Sequence, residues 1–91
     1  MVVAELRTKL IKALEPVYGV QDAPVRVDVI LPAFLQDFYQ MMDRAKEGET
    51  VSETYRTEDE KVTLRLEGFR KHSAQGSERV ITNVICNGAS L

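Results

Sequence analysis

The sequence predicts an α+β fold, a two-layer sandwich in which two helices cover one face of a mixed four-stranded sheet. Apolar residues recur at steps of three and four in two segments of the first half, as amphipathic helices require. After residue 50 the period changes to two, which is typical of strands with one buried face. A further alternating segment lies between the two helical ones. The predicted element order is α-β-α-β-β-β, within one small domain covering residues 1–91.

The first predicted helix begins near the amino terminus. Its apolar residues share one side of the helix: Val3, Leu6, Leu10, Ala13, Leu14 and Val17. Pro16 has no amide hydrogen and crowds the preceding turn, so we expect the helix to end near Glu15. The segment 18–24 carries a glycine, an aspartate and a proline, and it is predicted to be a loop.

The next two elements are predicted to be a strand and a helix that follow each other directly. Alternate positions of segment 25–31 are apolar and mostly β-branched: Val25, Val27, Val29 and Leu31. Pro32 favours an extended residue before it and fits the first turn of a helix. An apolar stripe marks the second helix: Phe34, Phe38, Met41, Met42 and Ala45. Gly48 is expected to end it, and the stripe is interpreted as core packing rather than an adaptable binding groove.

Three strands are predicted after residue 50. The first two form a hairpin with a four-residue loop at 57–60, in which Tyr55 faces Val62. The polar segment 71–78 is the next predicted turn, and the last strand covers residues 80–86. These three strands are expected to form a meander.

A helix over residues 58–70 is the main alternative to the second strand of the hairpin. Its apolar residues also fit steps of four and three. Strand is favoured because Thr63 and Gly68 lower helix propensity, and because the alternation runs unbroken from Val62 to Leu66.

Charge is nearly balanced over the chain but unevenly distributed along it. The net charge of −2 argues against a protein built mainly to hold nucleic-acid phosphates or an anionic membrane. Residues 1–46 are neutral, residues 47–60 carry −5 and residues 61–91 carry +3. Opposite charges on neighbouring strands of a hairpin explain this most simply, and a docking surface for a charged partner is the alternative.

The compartment is predicted from what the chain lacks. It has no apolar run long enough to span a bilayer and no secretory signal, and its lone cysteine fits a reducing environment. We therefore expect a cytoplasmic protein without membrane contact.

No cofactor, metal site or catalytic residue is predicted. The chain has one histidine and one cysteine, and its only dense acidic group, residues 58–60, is interpreted as a solvated turn. Cys86 and His72 are expected to lie far apart, so Cys86 is interpreted as a buried, inert thiol. An enzyme is therefore less favoured than a non-catalytic protein.

The sheet face turned away from the helices is the predicted contact surface. Strand alternation directs four residues outward, an apolar group within a polar frame: Phe69, Ile81, Asn83 and Ile85. Val80 is expected on the opposite, helix-covered face. The leading hypothesis is a non-catalytic interaction module, acting as adaptor, regulator or assembly component, that forms a homodimer or higher oligomer through this face. Contact with another protein is a further expectation.

Two other functions stay open. A nucleic-acid-binding regulator would use the basic turn around residues 70–79, through four side chains: Arg70, Lys71, His72 and Arg79. Solvated turn charge is the simpler interpretation of the same residues. A small enzyme or ligand-binding domain would need a pocket with converging polar groups, and the sequence does not show such convergence.

Overall fold

A computed structural model describes residues 1–91 and shows two helices packed on one antiparallel sheet of four strands. The elements are α1 (Val3–Tyr18), α2 (Asp22–Arg44), β1 (Val51–Arg56), β2 (Thr63–Ser73), β3 (Gly76–Cys86) and β4 (Ala89–Ser90). The strand order in the sheet is β1-β2-β3-β4, and every neighbouring pair is antiparallel. The predicted α+β class is confirmed. The predicted order is wrong because both helices precede all four strands. The sheet is antiparallel throughout and not mixed as predicted.

The predicted strand at 25–31 is instead part of α2. Within this helix the buried side chains follow steps of three and four: Ala23, Val27, Leu31, Phe34, Phe38 and Met42. Val25 and Val29, which shared a predicted strand face with Val27, are 62% and 73% exposed. The local preference of β-branched residues for strands is overridden here by burial of a helical stripe. No strand–helix–strand crossover exists.

Two prolines lie beyond the first turn of a helix, and Pro24 lies within the first turn of α2. Pro16 falls in the last turn of α1, which ends three residues later than predicted, at Tyr18. Pro32 lies in the middle of α2 and leaves the carbonyl of Asp28 without its helical donor. A helix-interior proline costs about 3 kcal/mol, but each large apolar side chain buried nearby contributes about 1.5–3 kcal/mol. Burial of several such side chains on α2 therefore offsets the cost.

The helices form an antiparallel hairpin with a short connection at residues 19–21. Gly19 has a φ of 89°, a left-handed conformation that suits glycine, and its amide donates to the carbonyl of Glu15 at 2.8 Å. A two-pronged ion pair joins the helices, since Arg7 Nε and Nη2 lie 2.8 and 3.1 Å from the two carboxylate oxygens of Asp28. This pair lowers the pKa of Asp28, chiefly through the hydrogen bond from Arg7.

The first β-hairpin exists, with a register different from the predicted one. Tyr55 pairs with Leu64 rather than with Val62, because the turn lies one residue later than predicted: the Thr57 amide donates to the Val62 carbonyl, which leaves residues 58–61 between them. A shift of two residues keeps every side chain on its expected face. The strand interpretation of residues 62–69 is confirmed over β2, and the alternative helix at 58–70 is absent.

A β-bulge changes the faces in the second hairpin. Glu67 pairs with Asn83 but Gly68 pairs with Ile81, so Thr82 is an extra residue in β3. On the tip side of the bulge, Ile81 therefore turns toward the helices, where it is 3% exposed. The placement of Ile81 on the outer face was wrong for this reason, as was the placement of Val80 on the inner one.

The core lies between the helix layer and the sheet. It contains sixteen buried apolar residues drawn from both helices, the β1–β2 loop and the two long strands. The β2–β3 ribbon extends beyond it to a two-residue turn at 74–75, so most of the predicted turn at 71–78 is strand. The molecule measures 42 × 21 × 21 Å. Neither helix has the length and apolarity needed to cross a membrane.

Candidate functional site

The outer sheet face is the surface of β1, β2 and β3 that points away from the helices. No helix or strand of the chain lies over it. Phe69 and Val80 are cross-strand neighbours on this face, and both are partly exposed. Ile85 is also partly exposed and pairs with Arg65, on the other side of the bulge. The face therefore carries two apolar groups, and three of its residues were predicted: Phe69, Asn83 and Ile85.

A polar row separates the two apolar groups of the outer sheet face. The Glu67 carboxylate accepts a hydrogen bond from Asn83 Nδ2 at 3.2 Å and lies 3.1 Å from Arg65 Nη2. The Glu67 backbone carbonyl accepts from Thr82 Oγ1 at 3.2 Å, at the bulge. These polar groups satisfy one another, so the row is held in place by contacts within the chain.

The four bases of the predicted phosphate-contact surface do not form one exposed cluster, because Arg70 and Arg79 are cross-strand partners on the helix side of the sheet. Arg70 lies on the helix side and closes the end of α2, donating from Nη2 to the Ala45 carbonyl at 2.8 Å and from Nε to the Met42 carbonyl at 3.3 Å. Such contacts satisfy carbonyls that a helix end leaves without donors. The guanidinium of Arg70 is therefore occupied by hydrogen bonds within the chain.

The guanidinium of Arg79 is occupied in the same way. Its Nη2 and Nε lie 2.7 and 3.2 Å from the carboxylate oxygens of Asp43, and its guanidinium stands 4.9 Å from the centre of the Tyr39 ring. The hydrogen bond from Arg79 lowers the pKa of Asp43, and the same bond raises the pKa of Arg79. Together Arg70 and Arg79 attach the carboxyl end of α2 to the sheet.

The other two bases lie apart from each other. Lys71 is on the outer sheet face, 3.4 Å from the carboxylate of its cross-strand partner Glu78. His72 is exposed near the tip of the ribbon, and its backbone amide donates to the Glu47 carboxylate at 2.9 Å. The sequence therefore predicted one basic cluster, whereas the structure has an Arg70–Arg79 pair on the helix side and places Lys71 and His72 elsewhere.

The β1–β2 loop contains an organised carboxylate that was interpreted as a solvated turn residue. Asp59 accepts from Tyr18 Oη at 2.9 Å, from Thr57 Oγ1 at 2.6 Å and from the Lys61 amide at 3.1 Å. Hydrogen bonds to the charged form, that from Thr57 first, lower the pKa of Asp59 to about 2. Asp59 thus pins the loop to the end of α1.

An open groove of about 510 Å³ lies between the first half of α2, the end of β1 and this loop. Its apolar lining comes from four residues: Val25, Val29, Ile30 and Tyr55. Arg26 and Glu58 contribute charge to its rim, and the guanidinium of Arg26 lies 3.9 Å from the centre of the Tyr18 ring. Sequence reasoning missed the groove because it assigned residues 25–31 to a strand.

Neither a nucleophile–base pair nor a metal cluster is formed. Cys86 is buried, and burial raises the pKa of its thiol. His72 pairs with Ser77, nine residues from Cys86 along β3, which corresponds to about 30 Å. No group of three or more metal-ligating side chains converges.

The chain matches no protein-family model, and no curated protein and no solved structure matches it. Its surfaces therefore provide the argument for function.

Proposed function

We propose that this protein is a non-catalytic interaction module, an adaptor, regulator or assembly component, that self-associates through the outer sheet face. The observation that carries the proposal is a whole sheet face with no covering element and with partly exposed apolar side chains on either side of an ordered polar row. Apolar groups framed by polar residues are a common feature of contact sites.

The arrangement suits a two-fold symmetric dimer. Phe69 and Val80 lie on one side of the Glu67–Asn83 row, and Ile85 lies on the other. A two-fold axis over this row places the Phe69–Val80 pair of one copy against Ile85 of the second copy. Each contact then occurs twice, as symmetric dimers require. Face-to-face sheets pack about 10 Å apart, which leaves room for these side chains between them.

The association is expected to be weak. Full burial of a large apolar side chain contributes about 1.5–3 kcal/mol, and these three are already partly buried in the free chain. Association costs at least about 4 kcal/mol in lost translational and rotational freedom. The six side chains of a dimer exceed that cost by a limited margin, so we expect a dissociation constant on the order of micromolar or weaker.

The test is size-exclusion chromatography with light scattering on the wild type, on Phe69→Lys and on Thr8→Lys. Phe69 lies outside the core, so Phe69→Lys is expected to keep its circular dichroism spectrum and lose the dimer. Thr8→Lys adds the same charge at an exposed position of α1 and is expected to dimerise like the wild type.

Two results would overturn the proposal. One is a wild-type chain that stays monomeric up to millimolar concentration. The other is a Phe69→Lys variant that associates as strongly as Thr8→Lys. Ile85→Lys repeats the test on the other side of the polar row, so a folding defect in one variant leaves the other to decide.

A further inference from the structure

The outward edge of β1 carries backbone groups without a strand partner. β1 is the terminal strand of the sheet, and Thr57 donates its amide to the Val62 carbonyl at 3.0 Å to close the ladder with β2. Bond direction alternates along a strand, so the odd-numbered residues of β1 bond to β2. The N–H and C=O groups of Ser52, Thr54 and Arg56 therefore point away from the sheet.

One of these amides has a substitute partner. The amide of Thr54 donates at 3.1 Å to the carboxylate of Glu53, its neighbour in the chain. An exposed side-chain oxygen is readily exchanged for the carbonyl of an incoming strand, because both accept the same hydrogen bond. The edge is thus capped locally and is not covered by another element.

The groove adjoins the end of this edge. Val25 and Val29 lie one helical turn apart and are 62% and 73% exposed, while Ile30 and Tyr55 are half-buried beside them. A free strand edge beside an apolar helix is the arrangement in which proteins bind extended peptides. The added strand bonds to the edge, and its alternate side chains enter the groove.

The charge around the edge identifies the chemistry of the occupant. Residues 47–60, which contain β1, carry six acids and one base. None of the four ion pairs of the chain includes Glu53, Glu58 or Glu60. β1 itself is neutral, with Glu53 and Arg56, and the other five acids flank it in the chain. A second copy of segment 47–60 would bring −5 against −5, so self-pairing is opposed, whereas a basic strand is complementary.

We propose that the β1 edge and the groove bind an extended segment of another protein in which apolar and basic residues alternate. The segment adds to β1 as a fifth strand, and its apolar residues contact Val25, Val29 and Tyr55. β1 has six residues, so the segment spans about six residues or 20 Å. This surface is separate from the outer sheet face, and the inference does not depend on dimerisation.

The probe is a fluorescein-labelled peptide of alternating lysine and valine, eight residues long, and its control replaces every lysine with glutamate. Fluorescence anisotropy is expected to show binding of the lysine peptide, at least about tenfold tighter than the glutamate peptide and weakening as salt rises. Amide exchange of Ser52, Thr54 and Arg56 is expected to slow on binding. Failure of the wild type to bind the lysine peptide at millimolar concentration would refute the proposal.

Matched variants separate the two parts of the site. Val29→Asp is expected to weaken binding at least about tenfold, and Val20→Asp, at a valine 71% exposed outside the groove, is expected to leave it unchanged. Equal effects of Val29→Asp and Val20→Asp on binding would refute the role of the groove. Thr54→Pro deletes an edge amide that proline can replace in an edge strand, and Thr54→Val retains it. Binding is expected to be lost in the first only, and equal binding by both folded variants would rule out strand addition.

Discussion

Gly68 is the one glycine at which an added Cβ atom would meet other atoms within 4 Å, and its substitution by alanine tests the packing at the bulge. A Cβ atom there would overlap the Val80 carbonyl oxygen, and it would lie 2.8 Å from Met42 Cε and 3.1 Å from Phe38 Cζ. The methionine methyl can move. The Val80 oxygen belongs to the backbone of β3, so it moves only if the ladder opens, and Phe38 is fully buried.

The expected cost follows from these distances. Overpacking by one methyl costs about 1–3 kcal/mol, and a backbone contact this short places Gly68→Ala at the upper end, about 3 kcal/mol. Alanine also reduces the conformational freedom of the unfolded chain, which stabilises the folded state by less than about 1 kcal/mol and offsets part of this cost. A chain of this length is stable by about 5–14 kcal/mol, so a net loss of about 2 kcal/mol or more is a large fraction.

Urea unfolding followed by circular dichroism measures this loss. With a slope of about 1 kcal/mol per molar urea, the midpoint is expected to fall by about 2 M. Gly48→Ala is the control, because its Cβ meets no atom within 4 Å and the change carries only the strain of a φ of 80°. A Gly68→Ala midpoint equal to or above that of the wild type would refute the proposed packing.

Three further predictions concern the helix register, the end of α2 and the β1–β2 loop. Val27→Ala is expected to lower the free energy of unfolding by about 2 kcal/mol and Val29→Ala by less than about 0.5 kcal/mol, because only Val27 is buried. Equal urea midpoints for the two variants would favour the predicted strand at 25–31 over the helix. Arg70→Ala is expected to lower the free energy of unfolding by about 1–3 kcal/mol, because it leaves two carbonyls at the end of α2 without a donor. Lys71→Ala removes one exposed ion pair and should lower the free energy of unfolding by less than about 1 kcal/mol; the reverse order would contradict the assigned contacts. The pKa of Asp59 lies below its unfolded value, so its stabilising contribution is complete above about pH 4 and is lost as the pH falls toward 2. When urea midpoints are plotted against pH, Asp59→Asn should therefore decline less steeply at low pH than the wild type. Parallel curves for the two proteins would contradict this role of Asp59.

The strands after residue 50 were predictable because each has one buried face. Alternation from Val62 to Leu66 is long enough to distinguish a strand from a helix. A hairpin register that is wrong by two residues still places each side chain on the correct face of the sheet. The segment 25–31 was not predictable in this way. The apolar residues of this segment fit both the strand period of two and the helix period of about 3.6 residues. Only the packing of the whole apolar stripe of α2 against the sheet decides between strand and helix.

The candidate sites show the same dependence on non-local structure. Three outer-face residues were predicted from alternation, but one extra residue in β3 exchanged Ile81 for Val80. The isolated Gly68 at the register shift is the signal in the sequence that could have indicated this bulge. The groove requires Val25 and Val29 to lie on a helix beside β1. The dispersal of the basic turn likewise depends on the end of α2, which Arg70 contacts.

The central claim is that the outer sheet face is where copies of the chain meet, and methyl NMR over a dilution series tests it most directly. The methyl signals of Val80 and Ile85 are expected to shift with concentration along one saturating curve. Ile81 and Val84, buried beneath the helices, are expected to stay fixed and serve as internal references. Outer-face methyl signals that remain constant up to millimolar concentration would contradict the claim.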